Sequence, residues 1–347
     1  MKKLLLFTII AFLLSSCMTE IKTCYLKANF GKDINGELLF YKDIPRHALT
    51  YRTPKPDRVI KIKNGIINDS LSGPTYLCTG TLRLEDHPYY VSFFNEPGNL
   101  RLSIHNGKII PSGTPMNDEF NEKYLDQIRD FIYETDNENR NKIIDKLIDD
   151  IWKDLNAKSD SYVLSSIAYS YIFMKDIETL NKLINSFSPD LYESPYLKFF
   201  REYRKQAIAC SEGKIAPNFT YKTLDNKPIS LSDFKGHDLI LSYSITNLYR
   251  YSGLGKEILQ VYNSFNKQGL RVLDIKEYNV KDKDLGVYLK KNNFPWLTLK
   301  DDGSMFYNYF INQWPIFILI NKEGRIVSRF TNVNLLWSEL TKLGYIR

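Results

Sequence analysis

The sequence predicts a multi-domain chain: an N-terminal all-β sandwich, a middle α-helical segment, and a C-terminal α/β domain with a mixed central sheet flanked by helices. Three observations predict it. Short runs of alternating apolar and polar residues, separated by Asn-Gly, Pro-Gly and Ser-Gly, fill the first third of the chain. From about Met116 the apolar residues recur at helical spacing instead. From about Gly213 strand-like and helix-like stretches take turns, the order that builds a sheet covered by helices on both faces. With 347 residues, 43% of them apolar and 14% aromatic, the chain has material for buried cores in two or three domains.

Residues 1–16 read as an export signal. Lys2 and Lys3 supply the charge, and Leu4 to Leu14 form an apolar run that is too short to span a bilayer, which takes roughly 20 residues. The run closes in Leu14-Ser15-Ser16-Cys17, which resembles a bacterial lipobox. That resemblance implies lipid on Cys17 and a membrane held through it, since each buried methylene contributes ~0.8 kcal/mol. Met18-Thr19 carries no aspartate after the cysteine, which by the same resemblance implies the outer membrane, with the protein exposed to the periplasm or the surface. The plainer alternative is a secretory signal with a chance cysteine. Loss of Lys2 and Lys3 lowers the net charge from +7 to +5. The excess is spread thinly, with no run of five like charges and no basic stripe interleaved with aromatics, so a nucleic-acid partner is not expected.

The β-like region, residues 17–115, contains GELLFY, RVIKIKNGII, YYVSFF and NLRLSIHNGKII. Alternation is plain in Val59-Ile60-Lys61-Ile62-Lys63 and in Leu100 to Ile104, and it suggests a small antiparallel sandwich or barrel. In the helical region, residues 116–212, Ile144, Ile148, Ile151 and Leu155 form one apolar stripe. Ser161 and Asp176 stand where N-caps belong, and Tyr196 to Ala209 reads as a last helix. In residues 213–347 strands are expected at Leu239 to Ser244, Leu270 to Lys276, Ile316 to Ile320 and Arg325 to Phe330. Helices are expected at Lys256 to Gln268, Lys283 to Asn292 and Leu335 to Leu343.

The chemistry-bearing residues are sparse. Besides Cys17 the chain has Cys24, Cys78 and Cys210, none in a C-x-x-C and none near a histidine at metal-ligand spacing. Three small buried thiols are expected; a Cys24–Cys78 bridge, leaving Cys210 unpaired, is the alternative open to an exported chain. The histidines, at 47, 87, 105 and 237, are dispersed, so neither a metal nor a cofactor is expected. Gly253-Leu254-Gly255-Lys256 suggests a phosphate cradle, but Glu257 stands where a P-loop needs Ser or Thr. Glu85-Asp86-His87 reads as a solvated turn before Pro88.

Ala216-Pro217-Asn218-Phe219, then Leu224 to Gly236 with its LSDFKG turn, then Lys256-Glu257, then Trp314-Pro315 before Asn321-Lys322-Glu323-Gly324-Arg325, occur in an order that resembles membrane-anchored thioredoxin-like proteins. The groups concerned are thiol-disulfide interchange and alkyl hydroperoxide reductase proteins. The resemblance covers Gly213 to Ile346. The upstream layout resembles a lipoprotein family in which an uncharacterised β domain precedes the thioredoxin-like one. The family implies a W-C-x-x-C at the start of the first long helix, where the helix N-terminus lowers the first thiol's pKa. Counting back from Lys256-Glu257, those cysteines fall near Tyr251 and Leu254. Neither can form a thiolate. The stretch Ser244 to Tyr251 also lacks a peroxidatic cysteine, and a hydroxyl such as Thr246, Ser252 or Tyr249 needs a paired base to attack. His237 lies before the strand and reads as a turn residue. The family further implies a cis bond at Trp314-Pro315.

Three readings follow. The first is a lipid-anchored envelope protein whose degenerate thioredoxin-like domain is a binding or scaffolding module, without catalytic residues. Its old active-site face, with Tyr249, Arg250, Tyr251, Trp314 and Pro315, would meet an extended peptide or an envelope protein. Alternatively, Tyr249 and Tyr251 seal that face against Trp314. The second reading is an active oxidoreductase using Cys24, Cys78 or Cys210. The third is a purely structural envelope component.

Overall fold

The computed structural model describes residues 23–42, 55–85, 87–172, 176–244, 253–276, 287, 289–301, 303–313 and 315–346. The chain divides into two compact units, residues 1–44 with 56–147, and residues 45–55 with 148–347. The helical stretch expected at 116–212 is therefore shared between them.

In the first unit the described strands are β1 (Thr23–Asn29), β2 (Gly36–Lys42), β3 (Arg58–Ile62), β4 (Ile66–Ser72), β5 (Leu77–Leu84), β6 (His87–Phe94), β7 (Gly98–His105) and β8 (Lys108–Ser112). They form two four-stranded sheets, ordered β4-β1-β7-β8 and β3-β2-β5-β6. The period-2 pattern does what it should: in β1, Cys24, Leu26 and Ala28 are buried while Tyr25, Lys27 and Asn29 are exposed. Leu26 and Leu100 of the first sheet share one core with Leu38, Phe40, Leu82 and Phe93 of the second. Each such side chain contributes ~1.5–3 kcal/mol on burial. Asn106 and Gly107, with φ of 49° and 71°, join β7 to β8 in the two-residue turn that needs left-handed residues at both central positions.

The expected antiparallel arrangement fails at one pair. β1 is antiparallel to β4 but parallel to β7. Alternation fixes which side chains face the core; it says nothing of the direction in which a neighbouring strand runs.

Two helices follow, α1 (Pro115–Lys123) and α2 (Leu125–Tyr133). Pro115 opens α1 where its missing N–H costs nothing. Asn117 joins α1 to the sheet. Phe94 N–H donates to Asn117 Oδ1 (2.8 Å), and Asn117 Nδ2 donates to Phe94 O (2.9 Å) and Thr114 Oγ1 (2.8 Å). The side-chain amide thus copies a rung of the ladder at Phe94, the last residue of β6.

A long helix, α3 (Asn137–Ala157), carries the chain into the second unit, where α4 (Tyr162–Tyr171), α5 (Ile177–Ser186) and α6 (Pro195–Ala209) follow. The expected caps are present: Ser161 Oγ accepts from Leu164 N–H, and Asp176 Oδ1 from Thr179 N–H. Next come a two-stranded ribbon, β9 (Thr220–Lys222) with β10 (Pro228–Ser230), and a five-stranded sheet. That sheet contains β11 (Leu239–Ser244), β12 (Arg271–Lys276), β13 (Leu297–Lys300), β14 (Ile316–Ile320) and β15 (Ile326–Phe330), in the order β13-β12-β11-β14-β15. β11, β12 and β13 run parallel; β14 and β15 are antiparallel additions. Helices α7 (Leu254–Phe265) and α9 (Val333–Lys342) cover one face through Ile258, Val261, Phe265, Leu336 and Leu340, packed with Ile240, Val272, Phe317 and Leu319. A short helix, α8 (Ser304–Asn308), lies between β13 and β14.

β13 and α8 have no counterpart among the expected elements. Their segments are too short to show a period. Half of the helix expected at Lys283 to Asn292 lies outside the described residues; the rest, residues 287 and 289–292, is helical.

Residues 213–223 bind both edges of the sheet. Gly213 N–H donates to Ile326 O, Ile326 N–H donates to Lys214 O, and Thr223 bridges to Leu299. Between them Tyr309 OH donates to Pro217 O. Helix α6 is tied to the same body by rings: Tyr203 lies 5.9 Å from Tyr307 and 4.8 Å from Phe310. Phe310 holds φ at 49°, a costly conformation for a bulky residue. The half-buried Arg329 guanidinium steadies this turn by donating to Tyr309 O (2.9 Å) and Phe310 O (2.6 Å).

Candidate functional site

In a sheet with this order the carboxyl ends of the parallel strands are where a ligand or a reactive group is expected. Here those ends are Ser244 of β11 and Lys276 of β12, which lie opposite one another. Residues 245–252 follow β11, and the described chain resumes at Gly253, whose left-handed backbone (φ 76°) caps α7. Pro315 directly precedes β14, and Ile316 pairs with Tyr243, so the topology sets Pro315 beside the end of β11. Pro315 is half-buried.

Of the residues expected on this face, Tyr249, Arg250, Tyr251 and Trp314 lie outside the described residues, and so does the bond between Trp314 and Pro315. Cys17 lies outside them too. Leu254, one of the two positions where the family pattern places a cysteine, is buried in the core with Ile258.

Beneath the strand ends is a polar cluster that sequence reasoning missed. Lys276 Nζ donates to Asp274 Oδ1 (2.8 Å) and Ser244 Oγ (2.7 Å), and both charged side chains are fully buried. Burial pushes the Asp274 carboxyl upward, while the Lys276 ammonium opposes that shift. Asp274 Oδ2 and the hydroxyl of Thr298, its neighbour on β13, have no hydrogen-bond partner among the described residues. The signal was present in Asp274-Ile275-Lys276: two charges at period-2 spacing, on one face of a strand that also carries Val272, Leu273 and Ile275.

On the opposite face Tyr243 OH donates to Asp301 Oδ2 (2.7 Å), and the N–H groups of Met305 and Phe306 donate to the same carboxylate, fixing the start of α8. Burial raises Asp301 against those hydrogen bonds.

The arrangement offers no thiolate among the described residues. Ser244 accepts its hydrogen bond from an ammonium, which does not draw off a hydroxyl proton as a general base would. Cys210 caps α6, is 1% exposed, and donates Sγ–H to Asn308 O (3.1 Å). Burial pushes its thiol up to about 11. Cys24 and Cys78 are buried free thiols in the first unit. Among the described residues no group of three or more His, Cys, Asp or Glu could hold a metal ion, and no helix is long and apolar enough to cross a membrane.

No family model matches the chain. The thiol-disulfide oxidoreductase ResA of Bacillus subtilis is 30% identical over 125 residues, 35% of this chain and 68% of that protein. The chloroplastic peroxiredoxin Q of Suaeda salsa is 29% identical over 124 residues, 35% of this chain and 53% of that protein. Among solved structures, the thioredoxin domain of a Bacteroides vulgatus thiol-disulfide oxidoreductase covers 38% of this chain and 97% of its own, at 21% identity and a TM-score of 0.33. On the strength of the Bacillus subtilis relative, the chain belongs to the thioredoxin-like family of thiol-disulfide oxidoreductases.

Proposed function

We propose that the chain is a lipid-anchored envelope protein whose thioredoxin-like domain is a redox-inactive binding or scaffolding module. One observation carries this reading. Residues 245–252, where the family's reactive cysteines begin, contain no cysteine, and Cys210 of the same unit is buried, hydrogen-bonded and, with its pKa pushed up by burial to about 11, protonated at neutral pH. In this reading the first unit is a β-sandwich domain, and Cys17 carries the lipid and holds the protein to the outer membrane. The face formed by Tyr249, Arg250, Tyr251, Trp314 and Pro315 takes an extended peptide or an envelope protein, whose backbone adds beside the end of β11.

Family membership favours a second reading, an oxidoreductase or peroxidase that uses a non-standard cysteine, with Cys210 the candidate. Insulin reduction and peroxide consumption separate the two. The expected result is no turnover above background for the purified protein beside an active thioredoxin-like control. Turnover at a comparable rate, abolished by Cys210→Ala, would establish the second reading.

The anchor and the binding face are tested on protein taken from the envelope. Mass spectrometry is expected to find Cys17 at the N-terminus, bearing acyl chains; a chain that begins elsewhere or an unmodified Cys17 removes the anchor. Cross-linking in the same envelope is expected to capture a partner that Trp314→Ala weakens without unfolding the protein. If that variant instead unfolds the domain and leaves capture by the folded remainder unchanged, the aromatic residues are a sealed cap.

A further inference from the structure

We propose that Cys24 and Cys78 form a cross-sheet disulfide when the chain folds in an oxidising compartment, and that the structure shows the reduced form of this pair. The compartment is taken from the export reading above; the pairing itself comes from the fold.

The two cysteines sit on different sheets, both turned inward, 1% and 0% exposed, in the one core that the sheets share. They also sit at the same end of it. Cys24 lies opposite Gly98, the first residue of β7, and Cys78 lies opposite Phe93, the penultimate residue of β6. The chain passes from one sheet to the other between these two partners, through Asn95, Glu96 and Pro97. The electrostatics agree with this placement: burial raises both thiols, the Glu96 carboxylate of that crossover raises Cys24 further, and Cys24 is among the groups that raise Cys78. Facing sheets lie ~10 Å apart, farther than the about 4.4–6.8 Å between Cα atoms that a disulfide bridges, so a cross-sheet bridge belongs where the chain crosses over and draws the sheets together, which is the end that both cysteines occupy. Cys210 is no competitor, since it is engaged with Asn308 in the other unit.

The step balances as a thiol-disulfide exchange. One cysteine thiolate attacks the disulfide of an exported dithiol oxidase or of a small-molecule disulfide, and the donor's S–S bond breaks. The second cysteine then displaces the donor sulfur, forming the Cys24–Cys78 bond. The donor takes the two electrons and the two protons and leaves as a dithiol, or, where it is a small-molecule disulfide, as two thiols, one released at each displacement. Burial decides when this happens. In the folded chain it pushes Cys24 up to about 12 and Cys78 higher still, so a thiolate is scarce at neutral pH. The exchange therefore belongs to the folding chain, and a bond once closed is shielded from reductant.

A bond between β1 and β5 closes a long loop of the unfolded chain and lowers its entropy. The test is a peptide map by mass spectrometry, with free thiols blocked and no reduction. It is run on full-length protein from the envelope and on the same protein refolded from the reduced state in a glutathione redox buffer. The expected map links Cys24 to Cys78 in both samples, and reduction is expected to lower the melting temperature of the first unit by on the order of 10 °C. A link only after refolding would uphold the pair and sink the export reading. Alkylated Cys24 and Cys78 in both samples, or their attachment to glutathione, Cys17 or Cys210, would overturn the proposal.

Discussion

Replacing Lys276 with methionine is expected to destabilise the second unit by about 3–5 kcal/mol, because it leaves the Asp274 carboxylate buried without its counter-charge. Asp274 and Lys276 are fully buried and bonded at 2.8 Å. Lys276 also holds Ser244 at the end of β11, so the loss reaches the strand end that precedes residues 245–252. The double variant Lys276→Met, Asp274→Leu is expected to recover most of the loss. An apolar pair of similar volume pays no desolvation, and the orphaned Asp274 Oδ2 disappears with the carboxylate. Urea unfolding of the full chain, followed by hydrogen exchange in β11 and β12, measures both. If the single and double variants lose the same stability, the ion pair is not what holds these strand ends. The pair then also tells against Ser244 as a nucleophile, since a protonated amine at 2.7 Å donates to the hydroxyl.

Asn117→Leu is expected to cost about 3 kcal/mol in the first unit. Leucine matches the volume and suits helix α1, so packing and propensity change little. What is lost is the amide that satisfies both Phe94 N–H and Phe94 O, and each buried backbone group left unpaired costs roughly 1–3 kcal/mol. Asn117→Asp separates geometry from charge. It keeps the acceptor for Phe94 N–H but loses the donor to Phe94 O and Thr114 Oγ1 and buries a carboxylate without a counter-charge against Phe94 O, so a larger loss than for leucine is expected at neutral pH. Differential melting of the two variants reads this order; a leucine variant as stable as the parent would show that water replaces the amide.

These two side chains mark where sequence reasoning stopped. Helices α4 and α5, with their caps Ser161 and Asp176, were legible because a cap acts within one turn of itself. Strands β11 and β14 were legible because an apolar run bounded by turn residues is a local signal. The missing cysteine pair was legible in the plainest way, since residue identity requires no coordinates. Sequence reasoning passed over Asn117, Asp274 and Lys276, because the partners that let each be buried are on other elements, or two places along the same strand.

The sequence by itself determined the β-rich, helical and α/β stretches, the frame of the thioredoxin-like domain and the absence of a reactive cysteine from its helix start. These follow from residue type and from periods that a single strand or helix displays. Only the tertiary structure decided that β1 lies parallel to β7, that Cys24 and Cys78 share one end of one core, and that α6 docks through Tyr203 on Tyr307 and Phe310. It also placed a buried ion pair at the carboxyl ends of β11 and β12. Each of these depends on residues distant in sequence meeting across a core, and burial and pairing energies act on what meets in space, which no local period encodes.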